Sequence, residues 1–204
     1  MFMGRTAILA AAGIGTVSVG GLGAYHLLKD KPSTPFSGRI NTNKRIILET
    51  SNDSHGAVWK AIEEEYKKNG NIKGISRDGE IQKNLKEYCR TNKNSTSNNE
   101  SEFEQYKHYC TRENLMTKLS QDKKSWNNHK DVEKWKSSEN TYKALGSNGG
   151  DLLIPKSPSG NINPNEVKVN EIISHCEEIS LKPFINDQDV DYKRGDKWCT
   201  LTNE

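Results

Sequence analysis

The sequence predicts a mainly α-helical protein in which one N-terminal transmembrane helix is followed by a small helical domain with irregular loops. A 23-residue stretch without formal charge lies near the N-terminus, and apolar side chains recur at helical spacing along the rest of the chain. Hydrophobic residues make up only 32% of the chain, and many of them lie in that first stretch. The domain core must therefore be small.

The uncharged stretch runs from Thr6 to Leu28. A helix rises about 1.5 Å per residue, so this stretch would be about 34 Å long, enough to cross a hydrocarbon layer of about 30 Å. The alternative is a cleaved signal peptide, whose apolar part has about 7–15 residues and ends in an A-x-A-like site, which Ala24-Tyr25-His26 does not provide. We expect residues 1–28 to be an uncleaved signal anchor that contacts the lipid bilayer.

The orientation of the span depends on two opposing features. Lys29, Lys31 and Arg39 outnumber Arg5, which by the positive-inside rule favours a cytoplasmic domain. The short N-terminus, with a basic residue ahead of the apolar run, is typical of an export signal. We expect a single-pass protein of the cell membrane whose C-terminal domain is extracellular.

Small residues recur every four positions within the span, at Ala12, Thr16, Gly20 and Ala24. This spacing places them on one helix face, where a second transmembrane helix could approach closely. A homodimer through the span is one hypothesis. The alternative is that glycine and alanine only fill a generic signal anchor.

The region after the anchor divides into a stalk and a domain. Residues 29–44 contain prolines, a glycine and short polar residues, which predicts a flexible stalk. Residues 45–204 form the expected helical domain with an irregular C-terminal tail from residue 182. At its start, Ile46-Ile47-Leu48 is either a strand or the beginning of a helix.

Five amphipathic helices are expected in this domain. The first runs from Ser54 to Lys68, the second begins after Asp78, and Ser101 caps the third. Asn163 and Pro164 provide a cap and a first-turn proline for the fifth. The expected inward-facing residues are, in order, Val58, Trp59, Ile62, Tyr66; Ile81, Leu85, Tyr88, Cys89; Phe103, Tyr106, Cys110, Met116, Leu119; Val132, Trp135, Tyr142, Leu145; and Val169, Ile172, Cys176, Ile179.

Four cysteines lie beyond the span, at Cys89, Cys110, Cys176 and Cys199. An even number in a small exported domain favours two disulfides, with three connectivities open, and four free thiols are the alternative. Residues 85–89 and 106–110 each end in Tyr-Cys, which indicates either a duplicated disulfide or metal element or a chance match. Trp198-Cys199 predicts a contact that holds the tail on the helices.

The sequence favours neither catalysis, a cofactor nor a metal. His108, Cys110, His175 and Cys176 lack zinc-site spacing, and the acidic residues from Asp187 to Asp191 lack the glycine and glutamate of a calcium loop. The 30 basic and 27 acidic residues are mixed along the chain, so no nucleic-acid partner is expected. The four tryptophans, Trp59, Trp126, Trp135 and Trp198, are expected in the core rather than as binding platforms.

In its layout the chain resembles the large paralogous sets of uncharacterised membrane-anchored proteins of haemotropic mycoplasmas. The shared features are the span rich in small residues from Ala10 to Ala24, a Lys- and Asn-rich body, an early tryptophan helix, Tyr-Cys pairs and a terminal Trp198-Cys199-Thr200. The resemblance implies a cell-surface or membrane-associated protein, one of many antigenic variants facing a host. It implies no catalytic residues.

The sequence therefore leads to the hypothesis of a non-enzymatic, membrane-anchored surface protein in host interaction or antigenic variation. A host protein or another surface protein would be its partner. A membrane-anchored hydrolase and a cytoplasm-facing scaffold with reduced thiols are the alternatives. The chain contains no nucleophile elbow, H-E-x-x-H or P-loop motif, which counts against the hydrolase.

Overall fold

Short helices and one two-stranded antiparallel sheet build the domain. The computed structural model describes residues 34–201, without the side chain of Ser147. The regular elements are α1 Phe36–Arg39, β1 Arg45–Ile47, α2 Gly56–Asn69, α3 Ile81–Asn92, α4 Glu100–Cys110, β2 Thr111–Glu113, α5 Leu115–Gln121, α6 Lys136–Lys143, α7 Val169–Ser180 and α8 Val190–Trp198. Short 3₁₀ turns lie at Val132–Trp135, Gly146–Asn148, Gly150–Leu152 and Pro164–Glu166. The prediction of a mainly helical domain is confirmed.

The predicted span lies outside the described residues, as do Ala12, Thr16, Gly20 and Ala24. Between residues 34 and 201, every helix is too short or too polar to cross a bilayer.

Three helices bury the apolar side that their sequence pattern predicts. In α2, α3 and α7 residues at helical spacing are packed into the core, and the polar residues on the opposite side face solvent. The buried residues are Val58, Trp59, Ile62 and Tyr66; Ile81, Leu85 and Cys89; and Ile172, His175, Cys176 and Ile179. Burial of these side chains is the main source of helix stability here, since the helices are too short to persist alone.

The expected third helix is interrupted. Residues Thr111–Glu113 are extended and pair antiparallel with β1, so that Ile47 lies opposite Thr111. The Thr111 hydroxyl donates to the Lys107 carbonyl at 2.6 Å and satisfies the end of α4. Asn114 then caps α5 by accepting from the Thr117 amide at 2.8 Å. Pairing with a distant strand therefore overrides the helical spacing of the apolar residues.

The boundaries of two other predicted helices also differ. In the fourth, Val132–Trp135 is a 3₁₀ turn that leads into α6, and Val132 is 42% exposed rather than buried. In the fifth, Asn163 and Pro164 begin a separate 3₁₀ turn, and α7 starts only at Val169. The Glu171 carboxylate accepts from the Lys168 amide at that later start.

The segment predicted as a flexible stalk contains α1, and it is anchored in the core by Phe36 and Ile40. Phe36 is fully buried in α1, and its ring lies edge-on to that of Phe103 with centroids 5.6 Å apart. Its amide donates to the Ser95 carbonyl at 2.9 Å. An aromatic side chain that finds a pocket overrides the loop-forming tendency of its proline and glycine neighbours, so the folded domain begins earlier than residue 45.

The tail predicted to be irregular contains α8. Asp189 caps this helix by accepting from the amides of Asp191 and Tyr192. Gly195 lies inside it, and a side chain there would come within 3.1 Å of Leu119. The glycine weakens helix propensity but permits close packing, so α8 forms through tertiary contacts that its sequence pattern does not reveal.

The core consists of two clusters. One contains buried apolar residues between Phe36 and Cys110, and the other contains those between Leu115 and Cys199. We call residues 34–114 the first half and residues 115–201 the second half. They are joined where the Phe184 amide of the second half donates to the Glu113 carbonyl of the first half at 2.9 Å.

The two halves repeat the same arrangement around their tryptophans. In each half a tryptophan is followed seven positions later by a fully buried tyrosine, Trp59 and Tyr66 or Trp135 and Tyr142. Both tyrosine hydroxyls are hydrogen-bonded to the backbone of the following loop. The Tyr66 hydroxyl accepts from the Ile72 amide and donates to the Ile72 and Ile75 carbonyls. The Tyr142 hydroxyl accepts from the Ile154 amide and donates to the Ile162 carbonyl.

The ends of the two halves also correspond. The Leu48 amide donates to the Cys110 carbonyl, as the Asn127 amide donates to the Cys199 carbonyl. Thr111 and Thr200, each directly after a cysteine, both donate their hydroxyl to the carbonyl four residues earlier at 2.6 Å. The two halves can therefore be compared position by position.

Candidate ligand-binding groove

The four candidate cysteines form two disulfides. Cys89 pairs with Cys110 and Cys176 with Cys199, with Cα atoms 5.3 and 5.5 Å apart. Each bridge lies within one half, joining α3 to α4 or α7 to α8. The two Tyr-Cys segments of the sequence are thus joined to each other by one bridge. The cysteine of the second half that corresponds to Cys89 is Cys176.

Three of the four tryptophans are core residues, as predicted. Their indole N–H groups donate to backbone carbonyls: Trp59 to Glu49 at 2.8 Å, Trp135 to His129 at 2.8 Å, and Trp198 to Leu152 at 2.9 Å. A buried indole usually finds such a partner. Their role is packing and cross-linking of loops.

Trp126 differs from the other three. Its ring is only partly buried, and its N–H has no hydrogen-bond partner among residues 34–201. The backbone on either side is fixed, because Asn127 donates to Cys199 at 2.8 Å and Leu201 donates to Ser125 at 2.7 Å. The prediction of a core role is therefore only partly right for Trp126, whose ring packs against the second core cluster while the residue stays partly exposed.

Trp126 lines a cavity of about 510 Å³ between the 126–135 segment and α7, which we call the Trp126 groove. The volume falls in the range of about 300–1,000 Å³ that is typical of small-molecule sites. Its apolar lining consists of Met116, Trp126, Val132, Trp135, Ile173 and the Cys176 end of the disulfide.

The polar lining of the groove is largely unpaired. Asn128 and Asn170 are exposed, and their side chains have no partner among the described residues. The same holds for the side chains of Lys130 and Glu177. Asn127 is different, because its amide donates to the Lys134 carbonyl and accepts from the His129 amide. Asn127 therefore holds the 127–134 loop, and the other four are free to meet a ligand.

The first half has a cavity in the corresponding place, of about 280 Å³. Its lining includes Lys83, Lys86 and Arg90, which lie six and three residues before Cys89 and one residue after it. The matching positions around Cys176 are Asn170, Ile173 and Glu177. The Lys86 ammonium lies 5.8 Å from the centre of the Trp59 ring. The three cationic residues of the first half thus correspond to a neutral polar, an apolar and an acidic residue in the second half.

A basic pocket of about 280 Å³ beside α1 is a weaker candidate. Arg39 is bound to Glu100 and stacks on Phe103, with its guanidinium carbon 3.6 Å from the ring centre. Arg45 is bound to Glu113, and Lys107 to Glu104 at 2.9 Å. Because these partners neutralise three of its four cations, Lys44 is the one lining cation without an ion pair among the described residues.

The other residues considered in the sequence have structural roles. Cys110 and Cys176 are in disulfides, so the thiolates that zinc requires are not present at either position. Asp189 caps α8, and Asp191 pairs with Lys182 at 2.9 Å. No group of three histidine, cysteine or acidic side chains within residues 34–201 is arranged to hold a metal ion.

His175, next to Cys176, is buried, and its Nε2 atom has no partner among the described residues. Burial lowers the pKa of this imidazole below its usual value of about 6.5. The charges of Asp191, Arg194, Glu178 and Lys182 act on it in opposing directions. The folded protein therefore favours the neutral imidazole.

We expect His175 to make stability depend on pH. The unfolded chain takes up a proton below about pH 6.5, whereas the folded chain resists it, so this contribution is complete above pH 6.5 and is lost as pH falls towards the lowered pKa. In urea unfolding at pH 7.5 and 5.5, His175→Gln should lose less stability on acidification than the wild type. Equal losses would contradict the assignment.

Sequence reasoning missed the groove because it is formed by residues distant in the chain. One local feature pointed to it: Trp126 stands alone between Lys123-Lys124-Ser125 and Asn127-Asn128-His129, without apolar neighbours at helical spacing. A tryptophan in such a polar segment lacks the companions that would bury it.

No protein-family model matches the sequence, and comparisons with curated proteins and with solved structures find no similar chain.

Proposed function

We propose that this chain is a membrane-anchored surface protein whose domain faces outward and binds a ligand outside the cell through the Trp126 groove. The observation that carries this proposal is the pairing of all four cysteines into two disulfides. Disulfides persist in oxidising compartments and are rare in the cytosol. The uncharged stretch from Thr6 to Leu28 supplies a means of export and attachment.

The modest core supports the same conclusion. Each half has its own small apolar cluster, and a cross-link compensates for limited burial in small exported domains. Neither bridge closes a long loop, because the paired cysteines are 21 and 23 residues apart. Each bridge therefore reinforces one half.

The groove supports a role in recognition. A held aromatic ring, surrounded by polar side chains that have no partner within the described part of the chain, is a typical feature of a binding site. On an outward-facing domain, its ligand would be a molecule of a host or of another cell surface. Variation of exposed residues around it would serve antigenic diversity.

Protease treatment of intact cells, combined with thiol labelling, tests the proposal. We expect protease to remove the domain from intact cells. Because all four cysteines are buried, alkylation is carried out in denaturant, where we expect it to modify them only after reduction. A Cys89→Ser variant leaves Cys110 unpaired and should be labelled at one site in denaturant without reduction, which verifies the labelling. A domain that is protected until the cells are permeabilised, with four freely alkylated cysteines, would refute the surface assignment.

A further inference from the structure

We propose that the Trp126 groove binds an uncharged saccharide, with the indole ring of Trp126 stacked on a sugar ring. This inference deepens the proposed function, since it names the ligand class of the same groove.

The indole ring supplies the apolar half of the contact. Sugar rings present a face of C–H groups edged by hydroxyls, and a flat aromatic ring matches that face while a polar atom at its edge meets a hydroxyl. Trp126 has both features, because its ring is partly exposed and its N–H lacks a partner among the described residues. Ile173 and Val132 add apolar surface to the same lining.

The polar side chains supply the other half. An asparagine amide both donates and accepts, as a sugar hydroxyl does, so Asn128 and Asn170 can each pair with a hydroxyl in either direction. Glu177 adds an acceptor for a further hydroxyl. Such groups would be costly to bury against an apolar ligand, since their hydrogen bonds would be lost.

The charge of the groove favours a neutral ligand. Lys130 and Glu177 contribute one charge of each sign to the lining, so the formal charge of the two cancels. An anionic ligand would be repelled by Glu177, and a cationic ligand would be repelled by Lys130. An apolar peptide is also a poor match, because Asn128 and Asn170 interrupt the apolar lining.

The first half shows what the same place looks like without these features. The cavity of the first half is little more than half as large. Ile47 pairs with Thr111 as Trp126 pairs with Thr200, so Ile47 is the counterpart of Trp126. Lys86 is the counterpart of Ile173. Lys83, Lys86 and Arg90 are ion-paired there with Glu80, Asp53 and Glu87, and the cavity has no aromatic ring in its lining for a sugar to stack on. The first half therefore provides a matched internal control.

The test uses the full chain in lipid nanodiscs, which avoids detergents with sugar head groups. Cellobiose, maltose, chitobiose and N-acetyllactosamine are titrated separately while tryptophan fluorescence and calorimetric heat are recorded. We expect saturable binding of at least one of them below about 10 mM. Trp126→Ala should weaken that binding at least tenfold, and Asn170→Ala about threefold or more. Ile47→Ala, at the corresponding position of the first half, should leave it unchanged.

A sulfated disaccharide and an apolar helical peptide are titrated in parallel. Both should bind at least tenfold more weakly than the best neutral sugar. Binding of none of the four neutral sugars, unchanged affinity in both Trp126→Ala and Asn170→Ala, or preference for the sulfated sugar or the peptide would overturn the proposal. Melting curves of each variant separate lost binding from lost folding.

Failure of this inference is distinguishable from failure of the surface assignment. The nanodisc titration exposes both faces of the protein, so it reports on the groove whichever way the domain faces in a cell. An outward domain that binds no sugar refutes only the ligand class. A sugar-binding domain that is protected in intact cells refutes only the location.

Discussion

Replacing Trp198 by alanine is expected to destabilise the protein by about 3–5 kcal/mol. The side chain is fully buried in the second core cluster, and its ring lies edge-on to that of Tyr142 with centroids 5.1 Å apart. Its N–H donates to the Leu152 carbonyl at 2.9 Å, so the substitution leaves both a cavity and an unpaired carbonyl. Urea unfolding of the full chain, followed by circular dichroism, measures the loss.

Trp126→Ala is the matched control for this substitution. It removes the same atoms from a partly exposed site without an internal hydrogen bond, so we expect a loss of about 1 kcal/mol. Trp198→Phe should fall between the two, because it retains most of the packing but not the hydrogen bond. Similar losses for Trp126→Ala and Trp198→Ala would mean that Trp126 is a core residue, contrary to its assignment.

Removal of the Cys176–Cys199 bridge by the double substitution Cys176→Ala and Cys199→Ala is expected to cost about 3 kcal/mol. The bridge closes a loop of 23 residues, and the lost restraint on an unfolded chain of that length is of this size. Hydrogen exchange should show the loss of protection mainly in α7 and α8.

The corresponding double substitution at Cys89 and Cys110 provides the comparison. Its loop has 21 residues, so the cost in free energy should be nearly the same. The affected amides should instead lie in α3 and α4. If either variant lost protection evenly across both halves, the two clusters would unfold as a single unit and the division of the core would have no energetic meaning.

The helices with strong apolar periodicity were the predictable part of the fold. Ile62 and Ile172 lie on stripes whose burial needs only local spacing, and the structure buries both. The two disulfides were also foreseeable as a type, because an even set of cysteines in a core-poor chain favours them. Their connectivity was not, since it depends on which helices lie side by side.

The remaining features depend on contacts between residues far apart in the chain. Thr111 is extended because it pairs with Ile47 of β1, which lies 64 residues earlier in the sequence. Gly195 sits in a helix because Leu119 and Ile179 pack closely against it. The repeated arrangement of the halves is likewise conserved in hydrogen bonds and spacing more than in residue identity, so sequence comparison within the chain could not find it.

The separate cross-links of the two halves bear on how such a chain can change over generations. Each bridge lies within one half, so neither bridge depends on the residues of the other half. Substitutions beside one bridge can therefore change the charge of that half, as between Lys83, Lys86 and Arg90 and their counterparts Asn170, Ile173 and Glu177, while the other half and both bridges keep their residues. In this arrangement, a protein whose exposed surface must change has two separately cross-linked surfaces that can vary.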